Sequence, residues 1–173
     1  MPLPRSNAPP LYTPEQRWRR DHTAWTWVQG VLAPLQFVVF LVSLVLVSRS
    51  LMWGLDTDWA RWSVVAKTGV LYVIMVTGCI WEKVVFGQYL FAPPFFWEDV
   101  VSSLVMLLHT AYVLAWWHDS LAPQAQLWLA LAAYAAYAFN AAQYVLKLRA
   151  ARLQSDPPTE LHGMASATPG SAP

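Results

Sequence analysis

Formal charge is scarce in this sequence: eleven Lys or Arg and ten Asp or Glu make up 12% of 173 residues. A soluble domain carries about a quarter charged residues, so water cannot be the solvent for most of this chain. The net charge is +1, which offers no basic face to nucleic acid. A single cysteine, Cys79, excludes an internal disulfide, and its apolar neighbourhood suits a small packed side chain. Missing as well are metal-ligand clusters of His and Cys, a glycine-rich phosphate loop, and the GxSxG and HExxH signatures. Their absence removes the common hydrolase, nucleotide-binding and metalloprotease readings. The Pro-rich, polar N-terminus lacks the pattern of a cleaved signal peptide.

What remains is apolar: 57% of the residues are hydrophobic. They fall into four runs, over about 25–48, 62–86, 95–117 and 124–147, each long enough to cross a hydrocarbon core of about 30 Å as a helix. The length suits one domain. The expected fold is all-α, an integral membrane four-helix bundle over 11–153, with disordered polar tails at 1–10 and 154–173. Before the first span, Thr13 and Pro14 predict a short helix whose arginines lie at the headgroup level. Pro34 predicts a kink in the first span. Basic residues flank both termini (Arg17, Arg19 and Arg20; Lys147, Arg149 and Arg152), which predicts that both termini are cytoplasmic. Most of the eleven tryptophans fall near span ends, as interfacial anchors do. Lys67 is expected near the outer end of the second span, its amine snorkelling to the interface.

Intramembrane ionisable groups are costly, so those that persist mark candidate chemistry. Glu82 and Lys83 end the second span; Glu98 and Asp99 begin the third. Between them, VFGQYLFAPPFFW is apolar yet broken by Gly87, Pro93 and Pro94, and reads as a loop dipping against the bundle. Two or three carboxyl groups beside an apolar loop form a candidate acid–base site, one protonated and its neighbour ionised. The same four charges would equally serve as interfacial groups paired with one another. His109 is the histidine well inside a span. It shares a helix face with Glu98 but lies about 16 Å along the axis from it. It reads as a magnesium ligand, a catalytic base, or a hydrogen-bonded packing residue. Ser102 and Tyr112 share that face; Gln29 and Gln36 line the first span, and Asn140, Gln143 and Lys147 line the fourth.

The segments LYTPEQRWRRD, WVQGVLAPLQFVVFLVSLVLV, IWEKVVFGQYLFAPPFFWEDV, HTAYV and LALAAYAAYAFNAAQYVLKLRAARL closely resemble the 2-vinyl bacteriochlorophyllide hydratase family of photosynthetic bacteria, over about 11–153. The resemblance implies an enzyme, a hydro-lyase that converts the ring-A vinyl group of chlorophyllide to 1-hydroxyethyl. It implies a bacterial inner or intracytoplasmic photosynthetic membrane, a magnesium chlorin as substrate, and no redox cofactor. Other pigment-synthesis enzymes are candidate partners. For that reaction the residues point to Glu98 or Asp99 as acid, Glu82 as base, and His109 holding the substrate's magnesium or orienting water. Lys83, Gln88, Tyr89, Asn140 and Gln143 are candidate substrate contacts. A non-catalytic pigment-binding or assembly protein, and a small transporter, are the competing readings.

Overall fold

The structure, a computed structural model, describes residues 11–155. It holds five helices: α1 (Pro14–His22), α2 (Ala24–Trp53), α3 (Thr57–Phe86), α4 (Phe96–Trp117) and α5 (Pro123–Ser155), with no strand among the described residues. Residues 1–10 and most of the expected C-terminal tail lie outside the described residues. At α1, Gln16 N donates to Thr13 Oγ1 at 3.2 Å and Thr13 N donates to Gln16 Oε1 at 3.0 Å, a reciprocal cap with Pro14 in the first turn.

Three helix ends differ from those the hydropathy suggests. The first span runs on past Arg49 to Trp53, because nothing breaks the helix before Gly54, which takes the left-handed conformation at φ 67. α3 begins at Thr57, five residues before the apolar run, so Asp58 and Arg61 are already helical. α5 continues about two turns beyond Lys147. The sequence there is rich in Leu, Ala and Arg and meets no Gly or Pro before Pro157. Pro34 lies exposed inside α2.

Four of the helices, α2 to α5, are long and apolar enough to cross a membrane. Their surfaces are arranged inside out. Val31, Leu35, Val38, Val42 and Val45 of α2 are exposed, while Gln36, Ser43 and Ser50 of the same helix are buried. Lys67, His109, Gln126 and Asn140 are buried on the other helices. Water would penalise both halves of that distribution; lipid rewards the apolar exterior and demands that polar groups turn inward. The chain is a multi-pass membrane protein. α2 packs mainly on α3 and α4 mainly on α5, with α1 against α3. On α5, Ala130 and Ala133 are wholly buried and let its backbone approach its neighbours.

Candidate functional site

One end of the bundle carries α1, the 87–95 connection and the C-terminal part of α5. Here the last turn of α3 and the first turn of α4 bring Glu82 and Asp99 together. Both side chains are buried, at 6% and 2% exposure, and their carboxyl groups lie within hydrogen-bond reach of each other. A hydrogen bond between two carboxyl groups needs a proton on one of them. The connection folds over the pair. Phe91 N donates to Asp99 Oδ2 at 2.8 Å, and Ala92 N donates to Glu82 Oε2 at 3.3 Å. Tyr144 of α5 donates its hydroxyl to Asp99 Oδ1 at 3.3 Å. Gly87 ends α3 at φ 87, and Phe91 is held at φ 59 by its bond to Asp99.

Glu98 is turned aside from this pair. Its Oε2 accepts from Lys147 Nζ at 2.6 Å, and that amine also sits 5.1 Å from the centre of the Phe95 ring. Lys83, Gln88 and Tyr89 stay on the exposed side of the connection. Lys83 Nζ donates to the Gly87 carbonyl at 2.7 Å and lies 5.1 Å over the Tyr89 ring. An aromatic cluster backs the site: Tyr12 stacks on Phe86 at 5.8 Å, and Phe95 stacks on Tyr144 at 5.9 Å. Burial pushes the Tyr12 hydroxyl above its ordinary pKa, against the opposing pull of Arg20.

Asn140 and Gln143 lie on the α5 face that leads to Tyr144. Asn140 Nδ2 donates to Ser102 Oγ at 2.8 Å. Asn140 Oδ1 and Gln143 Oε1 are buried without a hydrogen-bond partner among the described residues, as are both amide atoms of Gln36.

Lys67 departs most from expectation. It does not snorkel: it is 0% exposed, with partners on α4 and α5. It lies ten residues into α3, about 15 Å along the axis from the helix start. Its Nζ pairs with His109 Nε2 at 2.9 Å and lies 3.9 Å over the Tyr137 ring. His109 Nδ1 is 2.8 Å from the Val105 carbonyl, which can only accept, so Nδ1 carries the hydrogen and Nε2 accepts from Lys67. Both ring nitrogens are thus occupied and the ring is wholly buried. To ligate a magnesium ion, His109 would have to give up Lys67. Ten residues of α4, about 15 Å, separate it from Asp99.

The opposite end is tied by Arg61, which donates to Gln126 Oε1 at 2.9 Å and pairs with Asp119 at 3.2 Å. An open apolar groove of about 610 Å³ also lies toward that end, lined by Leu46, Trp59, Trp62 and Ala66 among others. Its one ionisable lining residue, Asp58, is exposed and lies 3.9 Å from Arg61. The Glu82–Asp99 pair, not this groove, brings two buried carboxyl groups together.

Sequence reading missed Tyr144 and Lys67. Tyr144 could have been found, because it follows Asn140 by four residues on the same helix face. Lys67 could not be placed, because its inward turn depends on α4 and α5 packing against α3.

A family model described as 2-vinyl bacteriochlorophyllide hydratase matches residues 12–150, which include every residue of the site. Among curated proteins, the 2-vinyl bacteriochlorophyllide hydratase of Rhodobacter capsulatus is 59% identical over 84% of this chain and 84% of its own length. That of Cereibacter sphaeroides is 57% identical over 88% of this chain and 97% of its own. No solved structure matches the chain. The chain belongs to the 2-vinyl bacteriochlorophyllide hydratase family.

Proposed function

We propose that this protein adds water across the ring-A vinyl group of a chlorophyllide-type magnesium chlorin, giving the 1-hydroxyethyl product, and that Glu82 and Asp99 are the acid–base pair. The observation that carries the mechanism is the meeting of these two buried carboxyl groups under the 87–95 connection.

Hydration of a ring-conjugated vinyl group begins with a proton on the terminal carbon. The vinyl π electrons form that C–H bond, leaving a cation on the ring-adjacent carbon, delocalised into the macrocycle. Water then bonds to the cationic carbon and gives up a proton. One carboxyl group must hold a proton and the other must be free to take one. Asp99 accepts from two protein donors, Phe91 N and the Tyr144 hydroxyl, whereas Glu82 accepts only from Ala92 N. Asp99 is therefore the better-served carboxylate, and Glu82 carries the shared proton. This reverses the roles that the sequence suggests. Glu82 protonates the vinyl carbon; Asp99 takes the proton from water. The proton returns to Glu82 across the bond between them, and the pair is reset without exchange with bulk solvent. The ionised partner also stabilises the developing cation.

Glu98, bound to Lys147, positions the end of α5 that supplies Tyr144. Lys83, Gln88 and Tyr89, on the exposed side of the connection, are placed to meet the pigment's carboxylate and carbonyl groups. His109 and Lys67 act as an interior cross-link instead of a metal ligand. The positive flanks put this end at the cytoplasmic face, with α1 lying in the interface. The photosynthetic inner membrane is the site of action that the family suggests.

The test is to express the chain in the membrane of a non-photosynthetic host, supply chlorophyllide, and analyse pigment by mass spectrometry. A product heavier by one water is expected. Stable retention of unchanged pigment by folded protein would overturn the hydratase reading in favour of pigment binding or assembly.

A further inference from the structure

We propose that Gln36, Asn140 and Gln143 form a buried water-binding site that feeds the Glu82–Asp99 pair. The inference rests on the hydratase reading and deepens it by placing the second substrate.

Phe40 of α2 and Tyr137 of α5 pack at 4.9 Å between ring centres, which puts them at one level of the bundle. Gln36 lies one turn from Phe40, and Asn140 three residues from Tyr137. The helices run in opposite directions, so both steps lead toward the end that holds the carboxyl pair. Each step also keeps the same helix face. Gln36 and Asn140 therefore share the next level. Gln143 follows Asn140 by three residues on that face, and Tyr144, which touches Asp99, follows by four. From Asn140 to Tyr144 is about 6 Å of helix axis, roughly the length of two hydrogen bonds in series.

Four polar atoms at this level have no partner among the described residues: Gln36 Oε1 and Nε2, Asn140 Oδ1 and Gln143 Oε1. Gln36 is 1% exposed and Asn140 9%. Buried amides are nearly always satisfied, so this set requires an occupant. It consists of one donor group and three acceptors, one acceptor more than the two protons of a single water can serve, so at least two waters satisfy the set. A flat pigment ring does not fit, because Asn140 is bonded across α5 and α4 to Ser102 at 2.8 Å and the rings of Phe40 and Tyr137 are in contact. Water held here stands on the side of the carboxyl pair away from the 87–95 connection. It can reach Asp99 without crossing the path by which pigment enters.

Radiolytic footprinting in ¹⁸O-water tests the site directly. Hydroxyl radicals formed from bound water label the side chains next to it, whatever their exposure to bulk solvent. Tyr137, 9% exposed, is expected to take up label well above both Tyr112, which is wholly buried and lies elsewhere, and what its slight exposure to bulk accounts for. Gln36→Leu should abolish that difference. It should also lower kcat roughly tenfold while leaving KM for the pigment unchanged, with Gln36→Met as the second variant should leucine fail to fold. No excess label at Tyr137 in the unsubstituted protein would overturn the site even if the protein hydrates pigment. Label at Tyr137 in a protein that hydrates nothing would leave the water site standing and overturn the hydratase reading instead.

Discussion

Replacing His109 by leucine should destabilise the protein, and replacing Lys67 as well should restore it. His109 Nε2 is the acceptor for Lys67 Nζ at 2.9 Å, at the centre of a wholly buried layer. In His109→Leu that amine keeps the aromatic faces of Tyr137 and Tyr134, at 3.9 and 5.5 Å, but loses its hydrogen-bond acceptor. A buried donor left unsatisfied costs about 1–3 kcal/mol. For a chain of this size, about 2 kcal/mol corresponds to roughly 4–8 °C in Tm. Lys67→Met removes the donor and fills the space with an apolar stem, so the double variant should return to within about 1 kcal/mol of the parent. A coupling of about 1–2 kcal/mol between the two positions follows. The assay is thermal unfolding in detergent, read by the fluorescence of eleven tryptophans, with turnover measured on the same samples. Additive effects, with coupling under about 0.5 kcal/mol, would refute the cross-link. So would a folded His109→Leu variant that has lost turnover, because the cross-link lies about 15 Å from Asp99 along α4 and a structural pair has no reason to control catalysis.

Tyr144→Phe removes one of the donors on Asp99, and turnover should fall roughly tenfold. Pigment affinity, read by absorbance titration, should be unchanged. Gly87 ends α3 at φ 87 with nothing within 4 Å of an added Cβ. Gly87→Ala should therefore cost about 1–2 kcal/mol of backbone strain alone, seen as a lower Tm. Thr13→Ala removes the α1 cap and should cost about 1 kcal/mol, seen as faster amide exchange at Gln16 with no change at the buried amides of α4.

Much of this architecture is legible in the sequence because the period of a helix and the thickness of a bilayer are stringent rulers. The four spans, the Thr13 cap and the converging polar stripes of α4 and α5 all follow from them. Hydropathy marks where lipid contact ends, not where hydrogen bonding ends, so Arg49 did not stop α2 and Trp62 did not start α3. Lys67 stayed hidden because its turn inward onto His109 and Tyr137 depends on how α4 and α5 pack against α3, which helix period alone does not fix. Proximity along the chain predicts that Glu82 and Asp99 lie near each other. It could not predict that Asp99, not Glu98, meets Glu82, because adjacent residues on a helix point about 100° apart and the choice depends on Lys147 reaching Glu98 from α5. The partnerless amide of Gln36 is likewise visible only once α2 is packed on α5.

Single-turnover hydration by Glu82→Gln and Asp99→Asn variants, compared with the unsubstituted protein at matched pigment occupancy, decides whether the carboxyl pair is the catalyst. Each variant should bind chlorophyllide with the parent's absorbance shift and form the hydroxyethyl product about 10²–10⁴-fold more slowly. Parent-like product formation by either folded variant would contradict the assignment and return the chemistry to Glu98 or His109.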